Sequence, residues 1–407
     1  MPITVLALVD YYLPGYKAGG PLRTLANMVE QLAGSVRFRV VTRDRDCGDD
    51  QPYPGVPAGA WQEVGGAQVL YLAPGQLGPA GLRRALAGPY DVLYLNSLFS
   101  PRLTLAPLLL RRAGGIPRRP VVLAPRGELH PGAMGTGSWG RALPRAVDAR
   151  FPSPRNLKKR GYIATARGLG LLDGVVWQAS SEEERADILR HAGPGATVRV
   201  APDLSAAPVP VASAGRAEKR AGELRAAFLS RIAPKKNLDG ALRMLRGVRG
   251  RVRLDVYGPV EDGAYWDGCQ ALIAGLPPGV SVHHHGSVAH ERVPAVLAES
   301  DVLLFPTHGE NFGHVIVEAM VQGCPVLISD QTPWRGLEAR RAGWDLPLDG
   351  PEAFTRALQR LADMDAQEHG GWRAGAAEFG RQRSVDPGAV AANRALFEYA
   401  SSLGARR

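Results

Sequence analysis

Two features of the sequence predict an α/β protein built from two Rossmann-like, doubly wound parallel-sheet domains facing across a cleft. Short, continuous Val/Leu/Ile-rich runs alternate with segments of helical period almost throughout, the pattern of parallel strands covered on both faces. The same scheme then runs a second time, after a stretch rich in Pro, Ala and Ser and poor in large apolar groups. A length of 407 residues accommodates two such domains, since domains run to about 100–200 residues each.

In the first half, strands are expected at 3–9, 36–42, 67–72, 90–95, 120–124 and 174–178, with helices at 21–33, 100–113 and 181–191. The first helix carries Pro21 in its opening turn, apolar Leu22, Leu25, Met28, Val29 and Leu32, and Gly34 as a stop. In the second half, strands are expected near 225–230, 252–257, 280–283, 301–305 and 325–329. Helices should lie near 237–247, 264–274, 290–298, 314–322 and 351–364. The predicted division is a first domain over 1–201, a linker over 202–222, a second domain over 223–385, and a C-terminal helix over 386–407 that packs back on the first domain. In doubly wound folds ligands bind beyond the carboxyl ends of the strands, which puts a ligand between two facing domains.

Composition narrows the class further. Hydrophobic residues make up 45% and charged residues 22%, which excludes a disordered or fibrous chain. The long uncharged stretch Gly65 to Leu82 is broken by Pro74, Pro79 and five glycines, so no membrane-spanning helix is expected. Met1 leads directly into the strand-like run Ile3 to Val9 without a basic n-region, so no signal peptide is expected either, and the expected compartment is cytoplasmic. Cys47, Cys269 and Cys324 are odd in number and far apart, which supports neither a disulfide framework nor a zinc site.

The net charge of +10 sits entirely in the first half. Residues 1–200 carry 25 Lys and Arg against 15 Asp and Glu, whereas residues 201–407 carry 24 of each. Arg141, Arg145, Arg150, Arg155, Lys158, Lys159 and Arg160 cluster against a single acid, Asp148. Anionic phospholipid or a phosphorylated substrate would suit such a patch, and so would a solvated face with no partner. Nucleic acid is not expected, because no aromatic interleaving or recognition-helix pattern accompanies the charge.

Four loops after predicted strands have the composition of phosphate or sugar contacts. Pro14 to Pro21 includes Gly19-Gly20, which lets backbone N–H groups approach an anion at a helix N-terminus; an ordinary strand-to-helix turn explains it equally well. Ser230 to Asn237 places Arg231, Lys235 and Lys236 at a strand's carboxyl end, suited to a diphosphate. Tyr257-Gly258-Pro259 ends another strand in a turn. The most informative is Pro306 to Met320, where Glu310 lies just before a helix and Glu318 within it. Two carboxylates so placed can accept hydrogen bonds from two points of one polyhydroxylated ligand, while the N–H groups of Asn311, Phe312 and Gly313 hold a phosphate. Glu310 could equally be an ordinary acid at a helix start. Glu318, between Val317 and Ala319 in an apolar helix, is harder to explain without a partner.

The Glu310-x7-Glu318 element, with Gly19-Gly20, Arg231 and Lys236, Gly258-Pro259 and Gly323-Cys324-Pro325-Val326 in the same order, resembles the retaining GT-B glycosyltransferases of the GT4 type over nearly the whole chain. The resemblance implies a GT-B fold and a UDP- or GDP-linked sugar donor, with no further cofactor and no metal. It implies that the catalytic group is Arg231, Lys236 and Glu310, the two cations neutralising the donor diphosphate and Glu310 binding the transferred sugar with the amides of Asn311, Phe312 and Gly313. Glu318 would bind the donor ribose, Gly19 and Gly20 would close over the diphosphate, Gly258 would belong to the donor site, and Val288 would lie near the base.

The chain departs from the family at Pro125 to His130, where Arg126 stands at the usual histidine position beside the sugar. A guanidinium cannot serve as a base, so Arg126 is expected to bind phosphate or carboxylate, with Gly127 and His130 also close to the acceptor. Ser329 to Trp334 replaces a Gly-Gly turn. The charge excess of the first domain, where the acceptor is expected to dock, favours a saccharide or lipid-linked saccharide acceptor, used in surface polysaccharide assembly at the inner face of a membrane. Two other functions fit the same sequence: a nucleotide-sugar 2-epimerase, and a non-catalytic module that binds a nucleotide or polyanion.

Overall fold

A computed structural model describes residues 2–134, 154–207 and 218–405. The chain divides into two compact units, Met1–Leu204 with Pro387–Arg407, and Ser205–Asp386.

The first unit is built on β1 (Ile3–Leu8), β2 (Val36–Arg43), β3 (Trp61–Val64), β4 (Ala67–Leu72), β5 (Val92–Asn96), β6 (Val121–Ala124), β7 (Val176–Ala179) and β8 (Thr197–Val200). They form one sheet in the order β3-β4-β2-β1-β5-β6-β7-β8, parallel except for β3 against β4. Helices α1 (Gly20–Gln31), α2 (Pro79–Ala85), α3 (Ala106–Arg112), α4 (Pro131–Met134), α5 (Pro154–Gly168) and α6 (Glu182–Ala192) connect the strands. Central β1 shows why the strands read as unbroken apolar runs: Val5 to Leu8 are at most 1% exposed, with core on both faces. α6 shows the usual terminal chemistry: Ser181 Oγ accepts from the Glu184 N–H, acids fill the first turn, and Arg190 and His191 occupy the last.

The second unit carries β9 (Glu223–Leu229), β10 (Arg251–Tyr257), β11 (Val280–His284), β12 (Val302–Phe305), β13 (Val326–Ser329) and β14 (Gly343–Leu346) in the order β11-β10-β9-β12-β13-β14, all parallel. Its helices are α7 (Leu238–Leu245), α8 (Gly263–Ala274), α9 (Val293–Glu299), α10 (His314–Val321), α11 (Pro351–Asp363) and α12 (Ala366–Ser384). The last helix, α13 (Pro387–Ala405), belongs to the first unit, where Phe397 packs edge-on against Phe38 and Tyr94.

Both sheets are doubly wound, as predicted. Strand order reverses between β1 and β5 in one and between β9 and β12 in the other, which fixes where each sheet offers a ligand crevice. The stretch predicted as a 202–222 linker is anchored at both ends. Asn393 Nδ2 donates to Pro202 O and Asn27 Nδ2 to Leu204 O, so the first unit extends to Leu204. Lys219, 4% exposed, donates to the carbonyls of Arg220, Ala362 and Met364 and belongs to the second unit. Among the described residues, no helix is long and apolar enough to cross a membrane.

Candidate active site

The loops after β9 and β12 flank the strand-order reversal of the second unit, and they carry Arg231, Lys236 and Glu310. After β9, a turn over Pro234–Lys236 ends at Asn237, whose φ of 60° is left-handed. Asn tolerates that conformation better than most residues. Its side-chain amide donates to Pro306 O at 2.8 Å, which ties the β9 loop to the β12 loop. Two further bonds join the same segments, and a third ties in the end of β13. His308 N–H donates to Lys235 O at 2.9 Å, fully buried Thr307 Oγ1 donates to the same carbonyl at 3.1 Å, and Ser329 Oγ donates to Thr307 O. The Glu310 N–H donates to Gln331 O at 3.0 Å, so the loop after β13 braces the third side.

This bracing brings Lys236 Nζ into an ion pair with Glu310 Oε1, each side chain about 15% exposed. The ammonium also lies 5.3 Å from the Phe305 ring centre. Burial alone pushes the Glu310 carboxyl up; Lys236, with Lys235 and Arg231 behind it, outweighs burial and holds the group below the usual carboxylate range. Glu310 is therefore an anion at neutral pH. Arg231, from the same loop, pairs instead with Glu261 at 2.8 Å.

Gly313, at φ 80°, caps α10, and Glu318 is the fifth residue of that helix, half-buried. Asn311 and Phe312 are half-buried in the loop before it; Phe312 packs on Trp334, whose Nε1–H donates to Phe312 O at 2.6 Å. Trp334 thus occupies the variant turn after β13 and braces the loop that carries Glu310. Gly258 has φ 143°, and a Cβ there would meet Ser230 O at 1.8 Å, so only glycine lets the β10 and β9 loops approach. Its N–H donates to Gly286 O at 2.8 Å, in the segment leading to half-buried Val288. Arg231, Lys236, Gly258, Glu310, Asn311, Phe312 and Gly313 therefore share the carboxyl-end loops of one sheet, with Glu318 in the helix that follows one of them.

In the first unit, Gly19 and Gly20 open α1 after β1, next to that sheet's own order reversal. Gly19 has φ 74°, and a Cβ on either residue would meet open space. The loop before them is anchored: Asp46 accepts from the Tyr16 and Lys17 N–H groups, and Lys17 Nζ pairs with Asp49 at 2.6 Å.

In the loop after β6, Arg126 finds a carboxylate within the chain, and its guanidinium is buried. It pairs with Asp203, donates from Nε to Asn96 Oδ1 at 2.8 Å, and donates to the Tyr94 hydroxyl. The Gly127 N–H donates to buried Glu184, which also accepts from the Ser180 N–H and hydroxyl. Glu128 accepts from Ser97 Oγ and the Leu98 and Phe99 N–H groups. Burial holds both glutamates above the ordinary carboxylate value despite these donors. His130 remains exposed at the end of this loop.

The predicted basic patch is described only in part. Arg141 and Arg145, with Arg150, lie outside the described residues, as does the side chain of Arg155. Lys158 and Arg160 are exposed on α5, but Lys159 donates to Ala133 O at 2.7 Å and sits over Phe99, so it is a structural residue.

Asn237, Thr307, Ser329 and Glu261 went unrecognised in the sequence. Only Asn237 left a signal, as an Asn directly before a helix; the other three are ordinary residues that acquire roles through partners distant in sequence.

The two doubly wound parallel-sheet units are those of a GT-B glycosyltransferase fold. The chain aligns with Anabaena HepE, solved in complex with UDP and glucose, at a TM-score of 0.67 and 17% identity, over 98% of this chain and 100% of that one. It also aligns with WaaG, a glycosyltransferase involved in lipopolysaccharide biosynthesis, at a TM-score of 0.62 and 15% identity, over 98% and 99% of the two chains. Within that fold, residues 214–369 match the family described as glycosyl transferases group 1, and they contain both cations and both glutamates of the site. Among curated relatives, the D-inositol 3-phosphate glycosyltransferase of Streptomyces avermitilis is 28% identical over 272 residues, 58% of this chain and 56% of that protein. The Streptomyces griseus enzyme of the same name is 33% identical over 147 residues, 33% of this chain and 31% of that protein. The chain thus spans between about a third and somewhat over half the length of these relatives.

Proposed function

We propose that this protein is a retaining glycosyltransferase that moves a sugar from a UDP- or GDP-linked donor to a hydroxyl of a saccharide or lipid-linked saccharide. The observation that carries the reading is the Lys236–Glu310 pair at the strand-order reversal of the second unit, with Arg231 on the same loop. Glu310 is ionised and can accept hydrogen bonds from sugar hydroxyls, while Lys236 and Arg231 offer two cations to a diphosphate. In the reaction, the bond from the anomeric carbon to the diphosphate oxygen breaks as the acceptor oxygen bonds to the same carbon on the same face. The acceptor's proton passes to the departing diphosphate, whose charge Arg231 and Lys236 stabilise. The protein's contribution is positioning and electrostatics, and a metal ion is not required for it. HepE's complexes with UDP and glucose and with UDP-glucose support the donor class. A site of action at the inner membrane surface remains part of this proposal and rests on exposed Lys158 and Arg160 with the neighbouring cations of the sequence.

The test is thermal-shift screening against UDP, GDP, ADP, CDP and dTDP with and without Mg²⁺, followed by NMR of products formed from the matching sugar donor. A ligand at 100-fold over its dissociation constant adds about 2.7 kcal/mol of stability. Selective, metal-independent stabilisation by one diphosphate and an acceptor product that keeps the donor's anomeric configuration are the expected results. An isomerised donor would replace the proposal with an epimerase, and no response to any diphosphate would leave a non-catalytic module.

A further inference from the structure

The two candidate diphosphate cations differ in how they are held. Lys236 is locked to Glu310 with both side chains about 15% exposed. Arg231 Nη1 meets Glu261 Oε2 at 2.8 Å, with the two side chains 41% and 50% exposed. This second contact is set by the backbone as well as the side chains. Ile232 and Val260 form a parallel bridge, the Ile232 N–H donates to Pro259 O at 2.9 Å, and the Glu261 N–H donates to Ile232 O at 3.1 Å. Glu261 is therefore stationed beside Arg231 in every state in which the β9 and β10 loops stay joined.

Resting on the donor-site reading above, we propose that Glu261 is an internal competitor for the donor diphosphate. Arg231 changes partner from the Glu261 carboxylate to the diphosphate when ligand binds, and returns to Glu261 as the nucleoside diphosphate leaves. The exposure of the pair makes the exchange easy, because half-exposed ion pairs are weak and both groups hydrate on separation. The carboxylate that Arg231 regains offsets part of the loss on release, so Glu261 keeps the spent nucleotide from being retained. Lys236 does not exchange in this way, since freeing it would leave Glu310 without its counter-ion in a largely buried position.

The experiment is isothermal titration of the full chain with UDP, GDP, ADP, CDP and dTDP. It compares the unmodified protein with Glu261→Gln and with Asp262→Asn, which removes an equal charge one residue away. Asp262 caps α8, accepting from the Tyr265 N–H at 3.0 Å, and has no part in the Arg231 pair. Glu261→Gln should tighten the nucleoside diphosphate that binds by about two- to five-fold, the range an exposed ion pair supports. Asp262→Asn should leave affinity unchanged. An unchanged dissociation constant in Glu261→Gln overturns the inference while leaving the donor site intact, and so does equal tightening by Asp262→Asn, which would make the effect one of general charge. Failure of the unmodified chain to bind any of the five overturns the donor-site reading and this inference with it.

Discussion

Replacing Lys236 with methionine keeps an unbranched side chain but removes the ammonium, and with it the ion pair to Glu310 and the approach to the Phe305 ring. Breaking a buried pair by deleting one partner costs about 3–5 kcal/mol. With about 15% of each side chain still in water and Lys235 and Arg231 also acting on Glu310, the lower end, about 3 kcal/mol, applies here. A unit the size of Ser205–Asp386 loses roughly 2–4 °C in Tm per kcal/mol, so its transition should fall by about 6–12 °C. The pH dependence gives a sharper check. In the native protein Glu310 titrates below its unfolded value of 4.5, so its pairing stabilises above that pH and the contribution fades as pH falls through the lowered value. In Lys236→Met, burial dominates and the carboxyl moves up, so its ionisation destabilises at neutral pH and acid relieves the cost. The stability gap between the two proteins should therefore narrow as pH is lowered from 7 towards 4. Urea unfolding of both proteins at pH 7, 5.5 and 4 measures the gap directly. A gap of the same size at all three pH values would show that lost packing, and not an uncompensated carboxylate, explains the effect; no gap at pH 7 would refute the pairing argument.

Gly258→Ala adds a Cβ within 1.8 Å of Ser230 O at a φ of 143°, and strain and overpacking together should lower stability by about 2–5 kcal/mol, read as the urea midpoint. Because Ser230 begins the loop carrying Arg231, nucleoside diphosphate affinity should fall in the same variant. Asn237→Ala loses both the left-handed preference and the bond to Pro306 O and should cost about 1–3 kcal/mol; Asn237→Gly, which keeps the backbone conformation, should cost less by the same assay. Arg126→Met leaves Asp203 buried without its cation, and calorimetry should show the first unit's transition destabilised by about 3–5 kcal/mol with the second unit's unchanged.

Much of the fold was legible because parallel strands buried on both faces must be written as apolar runs, and β1, β5, β6, β12 and β13 all were. The strands that were missed, β3, β8 and β14, are edge strands of four residues, and β3 and β8 are partly exposed, so neither length nor periodicity marked them. Helix α12 was missed for a different reason. Its glycines lower helix propensity, yet Gly375 lets it pass the Arg340 and Arg341 carbonyls, where a Cβ would sit 2.5 and 2.7 Å away, and Gly380 lets it pass the backbone of α10 at Val321. Local preference was set aside there for close packing. In the candidate site, Glu310, Lys236 and Arg231 could be singled out because charges stood at strand ends, but nothing in the sequence could pair Lys236 with Glu310 or Arg231 with Glu261. Nor could the sequence name the carboxylate that Arg126 binds, because Asp203 lies 77 residues away.

The placement of α13 has a consequence for biosynthesis. The ribosome makes the first unit's strands, then all of Ser205–Asp386, and only then the helix whose Phe397 covers Phe38 and Tyr94. At about 5–20 residues per second, the nascent first sheet waits roughly ten to forty seconds with one apolar face unfinished, while the second unit has every one of its strands and can fold. Chaperone dependence should therefore concentrate on the part of the protein that is synthesised first, because it is completed last.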